Sequence, residues 1–290
     1  MRNAFIQELV ALARKHSNIA LIVGDLGYSV IEPFAEEFPD RFINAGVAEQ
    51  NMTGLAAGMA SEGYHVFTYS IANFPTFRCA EQIRNDVAYH QLPVTVVSVG
   101  GGLAYGALGY SHHAVQDYAL IRILPNMLIA APGDPMEVRA CMRYLVENPG
   151  PSYLRLGKVG EPNFHAAPPN VAPGRWLRVR AGNEQRVLLS TGAGMQIAME
   201  SEEHAACAVY SMPLWSMADK PSQIEVLRKC AEVLTIEDHL QDGGFGSWLL
   251  EARAADPTLE CRVYPIALSP KVCGSVGSQS VLNRLGGLTG

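Results

Sequence analysis

The 290-residue sequence has no apolar run long enough to cross a bilayer, no block of lysine and arginine, and no CxxC spacing. Each absence removes a class of function. Without roughly 20 consecutive apolar residues a transmembrane helix is excluded. The formal net charge of -6 comes without a basic stripe interleaved with aromatics, so no nucleic-acid partner is expected. Six cysteines are scattered singly through apolar or helical contexts and read as buried reduced thiols. His112 and His113 are neighbours on an extended segment and point to opposite sides, which argues against a shared metal. Phosphate-loop, dinucleotide, nucleophile-elbow and HExxH signatures are missing as well. Met1-Arg2-Asn3-Ala4-Phe5 opens directly into an amphipathic pattern with no leader ahead of it, which predicts a cytoplasmic protein.

What is there is apolar: 48% of the residues are hydrophobic and 17% charged, enough for two buried cores in a chain of this length. The spacing predicts a helix over 3–15 and a continuous apolar strand at 19–23 that runs into Gly24-Asp25-Leu26-Gly27. Strands follow at 41–44, 65–70, 94–99, 127–131 and 152–156, with helices over 50–60, 79–89, 115–124 and 135–147 between them. This alternation predicts an α/β fold with a mostly parallel, doubly wound sheet over residues 1–160. A proline- and glycine-rich linker is expected over 161–185. A second, smaller α/β domain is expected over 186–290, with strands near 186–192, 207–211, 231–237 and 261–265.

One acid stands out. Glu49 lies in Asn44-Ala45-Gly46-Val47-Ala48-Glu49-Gln50-Asn51-Met52, just ahead of a helix of small and apolar residues. It reads either as an ordinary helix-terminal acid, stabilised by the dipole and free N–H groups, or as a desolvated acid that shares a proton with a buried nitrogen. Asp25 is open in the same way between turn residue and site residue.

Taken with Tyr69-Ser70, Glu81-Gln82-Ile83-Arg84-Asn85-Asp86, Gly109-Tyr110-Ser111-His112-His113, Leu124-Pro125-Asn126-Met127 and Ala131-Pro132-Gly133-Asp134, these segments resemble the pyrimidine-binding domain of transketolase and its relatives. The second half is similar to the C-terminal transketolase domain, through Ile236-Glu237-Asp238-His239 and Gly243-Gly244-Phe245-Gly246. Together they cover essentially the whole chain. The resemblance implies thiamine diphosphate chemistry, with Glu49 as the acid that activates the aminopyrimidine and His112 as the histidine that hydrogen-bonds oxygen charge on the donor sugar. Phe74 or Phe77 would stack on the pyrimidine. Leu26 and Ser29 match residues bordering cofactor and substrate channel. Arg155 and Lys158 match cations that bind substrate phosphate in relatives, and both could pair with acids of the chain instead.

Two departures qualify that match. The GDG segment and downstream asparagine that hold magnesium and the diphosphate in complete family members are not in this chain. The resemblance therefore implies an N-terminal diphosphate-binding partner subunit that holds Mg2+, in an α2β2 heterotetramer, and small sugar substrates. Gly100 and Leu108 replace a phosphate-binding histidine and a donor-contacting aspartate. The function expected is two-carbon ketol transfer from a ketose to an aldehyde or ketone, with an unusual or nucleotide-linked sugar as one candidate substrate. The alternatives are a deoxyxylulose-phosphate-synthase-like or 2-oxo acid decarboxylating subunit, and a non-catalytic scaffold.

Overall fold

The computed structural model describes residues 1–158 and 160–288. Runs of β-branched and other apolar residues make the central strands, and their burial on both sides explains why they are continuous instead of alternating. Every residue of β1 (Ile19–Val23), β4 (Val94–Val99) and β6 (Ser152–Leu156) is buried. With β2 (Phe42–Asn44), β3 (His65–Ile71) and β5 (Leu128–Ala130) they form a parallel sheet in the order β5-β6-β4-β3-β1-β2. Helices cover both faces. The helix Pro135–Glu147 starts where sequence chemistry puts it, with Pro135 in its first turn and the Asp134 carboxylate accepting from the Glu137 N–H at 2.7 Å.

A second sheet, in the order β12-β11-β8-β9-β7, holds β7 (Leu177–Arg180), β8 (Asn183–Ser190), β9 (Cys207–Ser211), β11 (Glu232–Leu240) and β12 (Arg262–Leu268). All its pairings are parallel except that of the edge strand β7 with β9. Two α/β layers thus match the expected fold class. No helix among the described residues is long and apolar enough to cross a membrane.

Three local features differ from the sequence expectation. β7 forms inside the segment read as a linker. β10 (Leu214–Ser216) leaves the second half of the chain to pair antiparallel with β5 at the edge of the first sheet, Leu214 opposite Ala130. Its three residues carry no period of their own; burial of Trp215 against Tyr118, Phe245 and Trp248 holds them there. The helix expected over 79–89 forms over Ala80–Gln82 and Ile83–Ala88, but the second stretch is π-helical, and a separate short helix, Phe74–Phe77, precedes it. Pro75 sits in the first turn of that short helix, and the Thr76 hydroxyl bonds the carbonyls of Ala72 and Asn73.

Candidate active site

The loops after parallel strands gather the chemistry-bearing residues, as expected for the carboxyl edge of such a sheet. Asn44, ending β2, fixes the approach to Glu49: its side-chain oxygen accepts from the Gly46 N–H at 3.0 Å and its amide donates to Asp25 at 3.0 Å. Asp25 also accepts from the Tyr28 hydroxyl at 3.0 Å. These bonds, Asn44 first, hold its carboxyl below the usual carboxylate range. The chain then turns through Gly46, at φ +73°, and enters the helix Glu49–Ser61 at Glu49 itself. Met52, Ala56, Ala57 and Ala60 bury the inner side of that helix. The Glu49 side chain is 4% exposed and lines an open cleft of about 400 Å³ with Val47, Ala48, Gln50, Asn51 and Arg78.

Glu49 is not a lone acid. One guanidinium nitrogen of Arg78 lies 3.1 Å from its Oε2. The same guanidinium stands 4.3 Å above the Phe74 ring. Phe74 in turn meets His112 edge-on, with ring centroids 5.2 Å apart. Glu49, Arg78, Phe74 and His112 therefore form one continuous surface. Of these four, the sequence reading missed Arg78. Its signal was its place one residue after Phe77, as a cation in the segment read for aromatic stacking.

His112 is half-buried, with Nδ1 3.0 Å from the Ser111 hydroxyl. The Asn73 amide donates to the Ser111 carbonyl at 2.9 Å and so ties the loop after β3 to the loop after β4. His113 is buried, its ring makes no hydrogen bond, and burial pushes its pKa down. Phe77 is 46% exposed and faces a different cleft with Asn73, Tyr110, Ser111, His113 and Gln116. Leu26 packs against the core beneath the β1 loop, and Ser29, at φ +65°, donates its backbone N–H to Glu32 at 2.7 Å. Neither lines the cleft at Glu49.

The two candidate phosphate cations separate. Arg155 is 3% exposed on β6 and lies against Asp117 at 2.7 Å, with further bonds to Asp238, the Tyr118 hydroxyl and the Ala114 carbonyl. Every guanidinium nitrogen is used internally, so Arg155 has no donor left for a phosphate. Asp117 and Asp238 are equally buried, which is the arrangement that makes such a cation structural. Lys158 is exposed, and its ammonium stands 5.5 Å over the Tyr105 ring. Leu108 is 57% exposed on the loop that leads to His112. Among the described residues no group of three His, Cys, Asp or Glu side chains is placed to hold a metal.

The family model for the transketolase pyrimidine-binding domain matches residues 1–159, and that for the transketolase C-terminal domain matches residues 174–289. The chain is 34% identical to one of the subunits of an apulose-4-phosphate transketolase of Phocaeicola vulgatus, over 88% of this chain and 84% of that one. It is 34% identical to a putative transketolase C-terminal section of Methanocaldococcus jannaschii, over 100% of this chain and 92% of the relative. The fold superposes on a split gene transketolase, solved as an inactive beta4 tetramer, with a TM-score of 0.84 and 31% identity over 99% of this chain and 93% of that one. The chain belongs to the transketolase family of thiamine diphosphate-dependent transferases, of which it carries the pyrimidine-binding and C-terminal domains.

Proposed function

We propose that this chain is the pyrimidine-binding subunit of a two-chain transketolase, and that it transfers a two-carbon ketol unit from a ketose to an aldehyde or ketone once a diphosphate-binding subunit is present. The observation that carries this reading is the buried Glu49 carboxylate on a cleft shared with Arg78, whose guanidinium covers the Phe74 ring next to His112. When bound, thiamine diphosphate supplies the nucleophilic carbon that attacks the ketose carbonyl.

The fit of these residues to its aminopyrimidine is supported by the group that already lies there. The Arg78 guanidinium is a flat, nitrogen-rich cation, 3.1 Å from Glu49 and 4.3 Å above Phe74. A stacked aminopyrimidine presents similar contacts, so Phe74 rather than Phe77 is the stacking ring in this reading. Glu49 exchanges a proton with the ring nitrogen, in an environment dry enough to make that bond count. His112, half-open beside Phe74, donates to the substrate oxygen as charge develops on it. Among the described residues no group of three His, Cys, Asp or Glu side chains is placed to hold a metal for the diphosphate; in this reading magnesium and its ligands come from the partner, in an α2β2 assembly. The structure solved as an inactive beta4 tetramer is consistent with a chain of this type lacking its partner.

For the substrate, the similarity to apulose-4-phosphate transketolases favours a phosphorylated ketose over a nucleotide-linked sugar. Lys158 is the remaining candidate for its phosphate. The test is ketol transfer by the chain assembled with a subunit carrying the GDG segment. Glu49→Gln is expected to lower the transfer rate on the order of 10²- to 10⁴-fold with the assembly intact. No transfer from any ketose, with wild type and Glu49→Gln alike, overturns the reading. Carbon dioxide release from pyruvate would move it to the decarboxylating branch.

A further inference from the structure

We propose that Arg78 occupies the seat of the aminopyrimidine ring in the free chain and must swing out for the cofactor to enter; this rests on the function proposed above. The guanidinium meets the two surfaces an aminopyrimidine needs. It pairs with Glu49 Oε2 at 3.1 Å and covers the Phe74 ring at 4.3 Å. Phe74 also meets His112 in a T-shaped pair, at an interplanar angle of 69°, and a ring stacked on the face that Arg78 covers competes directly with it. Two flat groups cannot share one face and one carboxylate oxygen.

The surroundings suit such an exchange. Glu49 is buried and would be left without a cation if the cleft were simply empty, which is costly for a carboxylate. Arg78, at 52% exposed, reaches solvent by a side-chain rotation and recovers its hydration when it leaves. It sits at the joint between two very short helices, Phe74–Phe77 and Ala80–Gln82, followed by the π-helical stretch Ile83–Ala88. Mid-helix departures of this kind recur at functional sites because the ladder is already interrupted. Arg78 thus keeps the carboxylate and the ring in place until the cofactor takes over both contacts, and cofactor binding is a competition against an internal ligand.

The competition has a size. A half-exposed ion pair and one cation–π contact together oppose the incoming ring by a factor on the order of ten. In the assembly with the diphosphate-binding subunit, calorimetric titration with thiamine diphosphate and Mg2+ should show Arg78→Ala binding roughly tenfold tighter than wild type. Arg78→Lys, which keeps the charge but loses the flat stacking face, should fall between them. Thermal unfolding supplies a second readout. Arg78→Ala should lower the midpoint of the cofactor-free assembly by on the order of 2 °C and leave that of the loaded assembly unchanged. Weaker or unchanged cofactor binding in Arg78→Ala, or an equal loss of midpoint with and without cofactor, overturns the proposal while wild-type binding keeps the thiamine assignment. Failure of the wild-type assembly to bind thiamine diphosphate overturns both.

Discussion

At Gly100 the backbone runs at φ +82°, and the Tyr105 ring lies 2.1 Å from where a β-carbon would be. The two facts act together. An L-residue there takes up the left-handed strain and also has to displace an aromatic ring that Lys158 overlies at 5.5 Å. Local packing thus suits glycine at this position: Tyr105 fills the space a larger side chain would need. Gly100→Ala is expected to destabilise the chain by roughly 2 kcal/mol or more in urea unfolding. Tyr105→Ala added to it should restore part of that loss, because the clash is removed and only the backbone strain is left. An additive double mutant would show that Tyr105 yields freely and that only the φ angle matters at Gly100.

At the scale of elements, Arg155 on β6 joins the helix Asp117–Arg122 to β11 through Asp117 and Asp238. Replacing it with methionine leaves two buried carboxylates facing each other. Arg155→Met is expected to cost about 3–5 kcal/mol in unfolding free energy, with no selective rise in KM for a phosphorylated over an unphosphorylated ketose. A large, phosphate-specific KM effect without destabilisation would return Arg155 to the substrate. The sequence made the matched motif around it legible but not its partners, which come from 38 and 83 residues away along the chain. The same division holds elsewhere. β1, β4, β6 and the helix Pro135–Glu147 were legible because burial on two faces or a cap at one end is written in adjacent residues. β10 was not, because tertiary contacts of Trp215 decide it, and no pattern in adjacent residues marks the π-helical stretch Ile83–Ala88. At the candidate site, Glu49 stood out in the sequence by its odd company of small residues. Its pairing with Arg78 was not legible, because 29 residues and a whole strand separate the two.

Across the whole molecule, both halves bury ionisable groups whose protons set how stability depends on pH. Glu237 on β11 is pushed up to about 8 by burial, although it accepts the N–H groups of Phe245 and Gly246. Glu137 is pushed up to about 7 by burial. His165 is raised by its bond to Asp134, 3.0 Å away. In the unfolded chain the glutamates ionise near pH 4.5 and the histidine near 6.5. The folded protein therefore binds more protons than the unfolded one from those values upward, and stability falls as the pH climbs through the folded values. His65 and His239, both pushed down to about 4 by burial, act with the opposite sign, but only below pH 6.5, where the unfolded chain takes up protons that the folded one refuses. The window from pH 6.5 to 8 is thus governed by the raised groups alone among these five. Unfolding free energies from urea titrations should fall across it, by on the order of 1–3 kcal/mol in total. In Glu237→Gln, which has no proton to lose at that position, the slope of the fall should shrink even though the starting stability is lower. A wild-type stability that is flat or rising between pH 6.5 and 8 would mean that Glu237 and Glu137 are already ionised in the fold, held so by the backbone N–H groups of Phe245, Gly246 and Gly133.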